Sequence, residues 1–257
     1  MIDDLSGPPG GATEDQLAFA RAYLADGPMD PAIIARIQDP AEAAARAEAK
    51  AALLQKDWAG LGHYRGANAA LGGAPVRGVF IGDSITEMWG VAQPDLFEDG
   101  IVNRGISGQT SPQILLRFMA DVVALRAGWV HIMCGINDIA GNTGPTTPSD
   151  YRNNISAMVD LATAHGVQVI LASLTPADRF VWSPAITGVA ARVGELNAWL
   201  AELARARGLV FCDYHPALAA PGGALRPDLT RDGVHPTGAG YRVMRQTVER
   251  ALALVAA

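Results

Sequence analysis

From residue 76 onward, short apolar runs alternate with longer helical segments, and that alternation does most to narrow what the chain can fold into. The runs are Val76–Ile81, Ile101–Asn103, Trp129–Cys134, Val167–Ala172 and Leu209–Asp213. Helical periodicity spans Pro112–Leu125, Pro148–His165, Gly188–Arg207 and Thr237–Leu254. Strands alternating with helices mean βαβ units, which build a parallel sheet with helices over both faces. Crossovers in such a sheet are right-handed, and ligands bind beyond the C-terminal ends of the strands. Five strands fill one domain, and a chain of 257 residues has room for its core. Chemistry is therefore expected just after each strand.

The first 70 residues read differently. Residues 1–12 are rich in Gly and Pro and are expected to be loose. Residues 14–56 read as helices. Asp30-Pro31 and Asp39-Pro40 are start signals, a capping acid followed by Pro at the first helical position. Ala41–Gln55 has high helix propensity but a weak apolar face, so it is expected on a surface or against another subunit. Trp58, Leu61, Tyr64 and Leu71 are expected to pack this preface onto the core. The boundaries expected are a helical extension over 1–70 and one α/β domain over 71–257.

Four strand ends carry residues with chemical potential. Gly82-Asp83-Ser84-Ile85-Thr86 places a serine between a strand and a helix, with its N–H at a helix start where an oxyanion can sit. Its plain alternative is an ordinary N-cap. Thr86 stands where the G-x-S-x-G elbow of α/β-hydrolases has its second Gly, so that elbow is excluded. Asn103-Arg104-Gly105-Ile106-Ser107-Gly108 follows the second strand. There Gly105 brings a backbone N–H close to a ligand, or simply makes a tight loop. Gly135-Ile136-Asn137-Asp138 follows the third, and Asn137 is either an amide donor or an Asx turn. Asp138 is expected to brace this loop. Asp232-Gly233-Val234-His235-Pro236 lies near the C-terminus, where a carboxylate and an imidazole three residues apart can meet. Together they supply a nucleophile, a base, an orienting acid and three oxyanion donors.

Other features exclude more than they assign. A net charge of −6 argues against nucleic acid and against anionic membranes as partners. No run approaches the 18 or so apolar residues of a spanning helix, and Met1-Ile2-Asp3-Asp4 is not a secretory signal. The chain as written reads as cytoplasmic, or as secreted if a leader has been removed. Cys134 and Cys212 sit in apolar runs and read as buried thiols. His215 is a rival base without a nearby acid, and His131 reads as a satisfied core residue. The aromatics of Phe180-Val181-Trp182 either line a substrate pocket or cover the core.

The four blocks resemble those of the GDSL/SGNH hydrolase family, from about residue 76 to 250. Ser84, Gly105, Asn137 and His235 match the four namesake residues in order, and Asp232 with His235 matches the final D-x-x-H. The resemblance implies a flavodoxin-like three-layer α/β/α fold and hydrolysis of short acyl, above all acetyl, esters. Ser84, Asp232 and His235 would be catalytic, and Ser84, Gly105 and Asn137 would form the oxyanion hole. It implies no metal and no organic cofactor. The partner implied is a small-molecule ester: an acylated carbohydrate, an aryl ester or a lysolipid. An acyltransferase with the same acyl-enzyme, or a non-catalytic carbohydrate-binding protein, are the other readings. The Ala-rich extension leaves homo-oligomerisation open.

Overall fold

The five apolar runs form one parallel sheet in a computed structural model that describes residues 14–255. Residues 1–12, expected to be loose, lie outside the described residues. The extension holds α1 (Glu14–Leu24), α2 (Pro31–Gln38), α3 (Pro40–Lys56) and α4 (Arg65–Ala70). Then come β1 (Gly78–Gly82), α5 (Ser84–Ala92), β2 (Ile101–Gly105), α6 (Ser111–Phe118), β3 (Trp129–Met133) and α7 (Ile136–Ala140). The chain continues through α8 (Pro148–Ala164), β4 (Gln168–Ala172), α9 (Val189–Arg207), β5 (Val210–Cys212), α10 (His215–Leu218) and α11 (Gly238–Val255).

The strand order is β2-β1-β3-β4-β5, the flavodoxin-like order. The chain leaves β1 for one neighbour and then returns past it to the other. Sheets of this order bind ligands beyond the strand ends at such a reversal, which here falls between β1 and β3. Register aligns the strand ends there: Gly82 pairs with Gly105 on one side and Met133 on the other.

Side chains alternate between the two faces with period two. Val79, Ile81 and Ile132 join Ile114, Phe118, Met158 and Val193 of α6, α8 and α9 in one core layer. Phe80, Met133 and Ile170 join Trp89 of α5 and Tyr241, Met244 and Val248 of α11 in the other. Each fully buried side chain of this size contributes about 1.5–3 kcal/mol. Cys134 and Cys212 fall in opposite layers, both buried and free.

Three boundaries differ from the sequence reading by two residues or more. β1 begins at Gly78 rather than Val76, although Val76 stays buried and its N–H reaches Leu125 O (3.2 Å). β2 runs two residues further, to Gly105, because Gly105 pairs with Gly82. The helix expected over Pro112–Leu125 ends at Phe118 and widens into a turn over Met119–Val123, where Ala124 N reaches back to Met119 O. The buried Arg117–Asp121 pair spans that junction.

In the extension, Asp30 and Asp39 cap their helices as expected, accepting from Ala32 N (2.8 Å) and from Ala41 N (2.7 Å). α3 buries none of its residues. α1 buries Ala20, Tyr23 and Leu24, and Leu24 belongs to the α5/α11 layer.

Candidate active site

Ser84 opens α5 directly after β1, but the cap of that helix is Asp83. Asp83 Oδ1 accepts from Ile85 N (3.0 Å), so the serine side chain is not spent on capping. Ser84 N–H lies in the first turn, where amides lack an intrahelical acceptor. The turn is tight because Gly82 has no side chain. A Cβ there would stand 2.2 Å from Thr86 Oγ1 and 2.4 Å from Met133 O. Burial pushes the Asp83 carboxyl up to about 7, against the opposing Ile85 N–H and the charge of His235.

His235 comes from the loop before α11, and its Nε2 lies 2.9 Å from Ser84 Oγ. Its Nδ1 lies 2.7 Å from Asp232 Oδ2. The loop closes on itself. Asp232 Oδ1 accepts from Val234 N (2.9 Å) and His235 N (2.8 Å), and Gly233 takes a left-handed φ of 86°. Burial alone would raise the Asp232 carboxyl. The His235 hydrogen bond and charge, with the two backbone N–H groups, override it and hold it at about 2.

Asn137 lies in α7, immediately beyond β3. Its Nδ2 donates to Gln109 O (2.9 Å) and, at longer range, to Asp83 Oδ2 (3.3 Å). Its Oδ1 accepts from Asn142 Nδ2 (2.7 Å). The amide is thereby oriented beside the residue that precedes Ser84. Asp138 does not hold Asn137 itself. It ties the loop to α6, accepting from Ser111 N (3.0 Å) and Ser111 Oγ.

Gly105 closes β2 beside Gly82. Its N–H donates to Asn103 Oδ1 (2.8 Å) and is therefore already occupied. A Cβ on Gly105 would stand 2.2 Å from Glu87 N, so this glycine serves close packing of β2 against α5. Further along the same loop, Gly108 has a φ of 78°, and its carbonyl accepts from Asn142 Nδ2 (3.5 Å), the amide that also holds Asn137.

Other residues fall away from the site. His215 opens α10, where its backbone N donates to Ser173 Oγ (3.2 Å), and the imidazole on Ser84 Oγ is that of His235. His131 is fully buried against Phe80 (4.6 Å between ring centroids), and burial lowers its pKa to about 3. Its Nε2 meets Tyr214 OH (2.8 Å), but Nδ1 has no partner among the described residues. It is a core residue only half satisfied. Burial raises the Cys134 thiol and pushes Cys212 up to about 12, which removes both as nucleophiles at neutral pH.

The extension, to which the sequence assigned little functional weight, reaches the site at two places. Tyr23 OH donates to His235 O (3.0 Å) and accepts from Arg231 N (3.2 Å). Its ring meets the imidazole edge-on at 6.2 Å. Arg231 closes the contact by donating to Tyr23 O (2.8 Å), Ala25 O (2.7 Å) and Gly27 O (2.7 Å). On the other flank Tyr64 OH donates to Gly105 O, and Gln109 Nε2 donates to Ala59 O (2.8 Å). Behind them, fully buried Arg117 binds Gly82 O (2.9 Å), Gln109 Oε1 (2.6 Å) and Asp121 Oδ2 (3.0 Å). The signal available for Tyr23 was the spacing of Ala20, Tyr23 and Leu24 on one helix face.

A doubly wound sheet with a hydroxyl, an imidazole and a carboxylate in series at its strand ends defines an α/β protein of the acyl-hydrolase type. The chain belongs to the GDSL-like Lipase/Acylhydrolase family, whose model matches residues 80–243. It is similar to the structure of a GDSL-like lipase from Bacteroides thetaiotaomicron VPI-5482, with 41% identity, a TM-score of 0.73, and coverage of 76% of this chain and 98% of that one. The curated relatives are matched over shorter stretches. The lipoprotein YqeF of Bacillus subtilis is 33% identical over 79 residues, 30% of this chain and 32% of its own length. An acetylxylan esterase of Geobacillus stearothermophilus is 49% identical over 39 residues, 15% of this chain and 18% of its own. The chain thus spans under a third of the length of these two relatives. Among the described residues no helix is long and apolar enough to cross a membrane.

Proposed function

We propose that the chain is a serine ester hydrolase acting on short acyl esters, with Ser84 as nucleophile, His235 as base and Asp232 as orienting acid. The observation that carries this reading is the hydrogen-bond series from Ser84 Oγ through His235 (2.9 Å) to Asp232 (2.7 Å). Ser84 Oγ attacks the acyl carbon as His235 Nε2 takes its proton. Asp232 accepts from Nδ1–H, fixing the tautomer that leaves Nε2 free, and stabilises the imidazolium. The carbon–alkoxy bond breaks, and the alcohol departs with the proton from Nε2. Water, deprotonated by the same nitrogen, then attacks the acyl-enzyme and releases the acid and Ser84.

The oxyanion donors we propose are Ser84 N–H, Asn137 Nδ2 and, in place of Gly105, Gly108 N–H. Asn137 holds Asp83 only at 3.3 Å, so that N–H is the one free to turn to the oxyanion. Acetyl is the acyl group proposed, on the stretch of similarity to an acetylxylan esterase.

Ser84→Ala is expected to abolish hydrolysis of 4-nitrophenyl acetate while circular dichroism stays native. A folded Ser84→Ala protein with wild-type turnover would overturn the proposal.

A further inference from the structure

Two side chains beside the proposed machinery have no part in the hydrolytic steps. Trp182, in the loop after β4, is 41% exposed, yet both its ring and its N–H are engaged. The ring lies 5.2 Å from that of buried Phe180 and 6.0 Å from that of His235. Its Nε1 donates to Asn142 Oδ1 (3.0 Å). Asn142 stands just beyond α7, where left-handed Gly141 (φ 71°) turns the chain and Asn142 N donates to Asn137 O (3.1 Å). The Asn142 Nδ2 donates to Asn137 Oδ1 (2.7 Å) and, at longer range, to Gly108 O (3.5 Å).

Of Trp182, Asn142 and Asn137, only the first has a fixed polarity. A carboxamide carries oxygen on one side and NH2 on the other, and half a turn about its last bond exchanges them with little change of shape. An indole N–H can only donate. Because Trp182 meets Asn142 as a donor, the Asn142 oxygen faces the indole and its NH2 faces Asn137. Asn137 answers that NH2 with Oδ1, which leaves its own Nδ2 on the side of Gln109 O (2.9 Å) and Asp83 Oδ2 (3.3 Å). Gln109 O is a carbonyl that can only accept, so it asks for the same orientation from the other end. A reversed Asn137 would set oxygen against that carbonyl and NH2 against NH2. It would also turn an acceptor, in place of a donor, toward the residue before Ser84, where a developing oxyanion needs N–H.

We propose that Trp182 and Asn142 are positioning residues for acyl transfer: the indole N–H sets the polarity of the Asn137 amide two side chains away, so that N–H faces the oxyanion. This rests on the hydrolase reading of Ser84, with Asn137 as an oxyanion donor. Asn142→Asp keeps the shape but faces Asn137 Oδ1 with a carboxylate oxygen in place of a donor. The Asn137 amide must then turn or withdraw. With 4-nitrophenyl acetate, at a pH where carboxylates are ionised, kcat should fall about 10²–10³-fold, the cost of one oxyanion donor, with KM little changed. Asn142→Ala removes the donor without opposing Asn137, which Gln109 O still orients, and should cost about tenfold at most. Trp182→Phe keeps a ring, loses the N–H and should cost about threefold. Shape alone predicts the reverse order, since Asp is the isosteric change. In the Asn137→Ala background each substitution should lose most of its effect, whereas a disturbed loop or a charge acting directly on the site would persist. A folded Asn142→Asp no slower than Asn142→Ala overturns the proposal, as does a loss undiminished in Asn137→Ala. If Asn142→Asp does not fold, losses in Asn142→Ala and Trp182→Phe that vanish in Asn137→Ala support the proposal, and wild-type kcat in both overturns it. Wild-type kcat in Asn137→Ala itself also overturns it, while fluorophosphonate labelling of Ser84 leaves the hydrolase reading standing. If no ester is cleaved and the probe fails to label Ser84, the hydrolase reading has failed, and the role of Trp182 and Asn142 with it.

Discussion

α1 and α3 both precede the sheet, and both begin outside the stretch that the family model matches, yet they meet the rest of the molecule in opposite ways. α1 is 11 residues long and only weakly amphipathic in sequence, but it buries Ala20, Tyr23 and Leu24. Through Tyr23 it grips the loop that carries Asp232 and His235. α3 is longer, at 17 residues, is capped by Asp39 and is richer in helix formers, yet buries nothing. It comes near the site at Lys50, whose Nζ stands 3.0 Å from where a Gly108 Cβ would lie. Local propensity therefore says that α3 forms, and tertiary contact says that α1 matters.

The contact of α1 acts on Asp232 and His235, so the effect of losing that pair sets the scale. Asp232→Asn is expected to lower kcat about 10⁴-fold, since an amide presents the wrong partner to Nδ1. The same variant bears on stability in acid. The Asp232 carboxyl sits at about 2 in the folded chain, against about 3.9 when unfolded. A depressed carboxylate stabilises the fold above its unfolded pKa, and that stabilisation is lost as pH falls from about 4 to about 2. Melting temperature in wild type should drop across that window more than in Asp232→Asn. Equal drops would mean that the pair adds nothing to stability.

Tyr23→Phe isolates the grip of α1. It removes the donor to His235 O and the acceptor for Arg231 N while keeping the buried ring. Burial, and then the negative charge of Asp232, raise the Tyr23 phenol, so it remains a donor across the working pH range. The expected result is a kcat lowered about tenfold with KM little changed, because a slightly misplaced imidazole affects the transition state more than binding. In the Asp232→Asn background the Tyr23 effect should shrink, since both act through one loop. Full additivity of the two substitutions would make Tyr23 a structural anchor only.

The contrast also marks what was legible in the sequence. Strand–helix alternation was readable because βαβ geometry imposes it on every unit, and all five strands fell within two residues of their expected ends. The placement of Ser84, Asn137, Asp232 and His235 was readable because each sits at a strand end or in a short turn, where local order settles position. The engagement of the Gly105 N–H was not legible, for a local reason. Its N–H is occupied by Asn103, two residues back, and a motif does not disclose which N–H of a loop has been consumed. Tyr23 and Trp182 were not legible as neighbours of His235, because contacts across 212 and 53 positions depend on packing rather than on spacing. The wide turn at Met119–Val123 was missed because helix periodicity continues through it.

The smallest expected effect belongs to α3. Asp39→Ala removes a carboxylate that accepts from Ala41 N (2.7 Å) and Glu42 N (3.1 Å), a loss of about 1 kcal/mol for a typical cap. In a helix docked to the core that loss would appear in global stability. α3 has no buried residue to couple it to the core, so the loss should remain local. Amide exchange in the first turns of α3 should therefore speed up several-fold, on the order of the factor that 1 kcal/mol sets, while melting temperature and kcat stay within error. Leu53→Ser, at a residue 54% exposed, should likewise shift stability by under about 0.5 kcal/mol. A global loss from either substitution would show that a face of α3 is covered in solution, and the opposition between the two helices would then be one of partners rather than of docking.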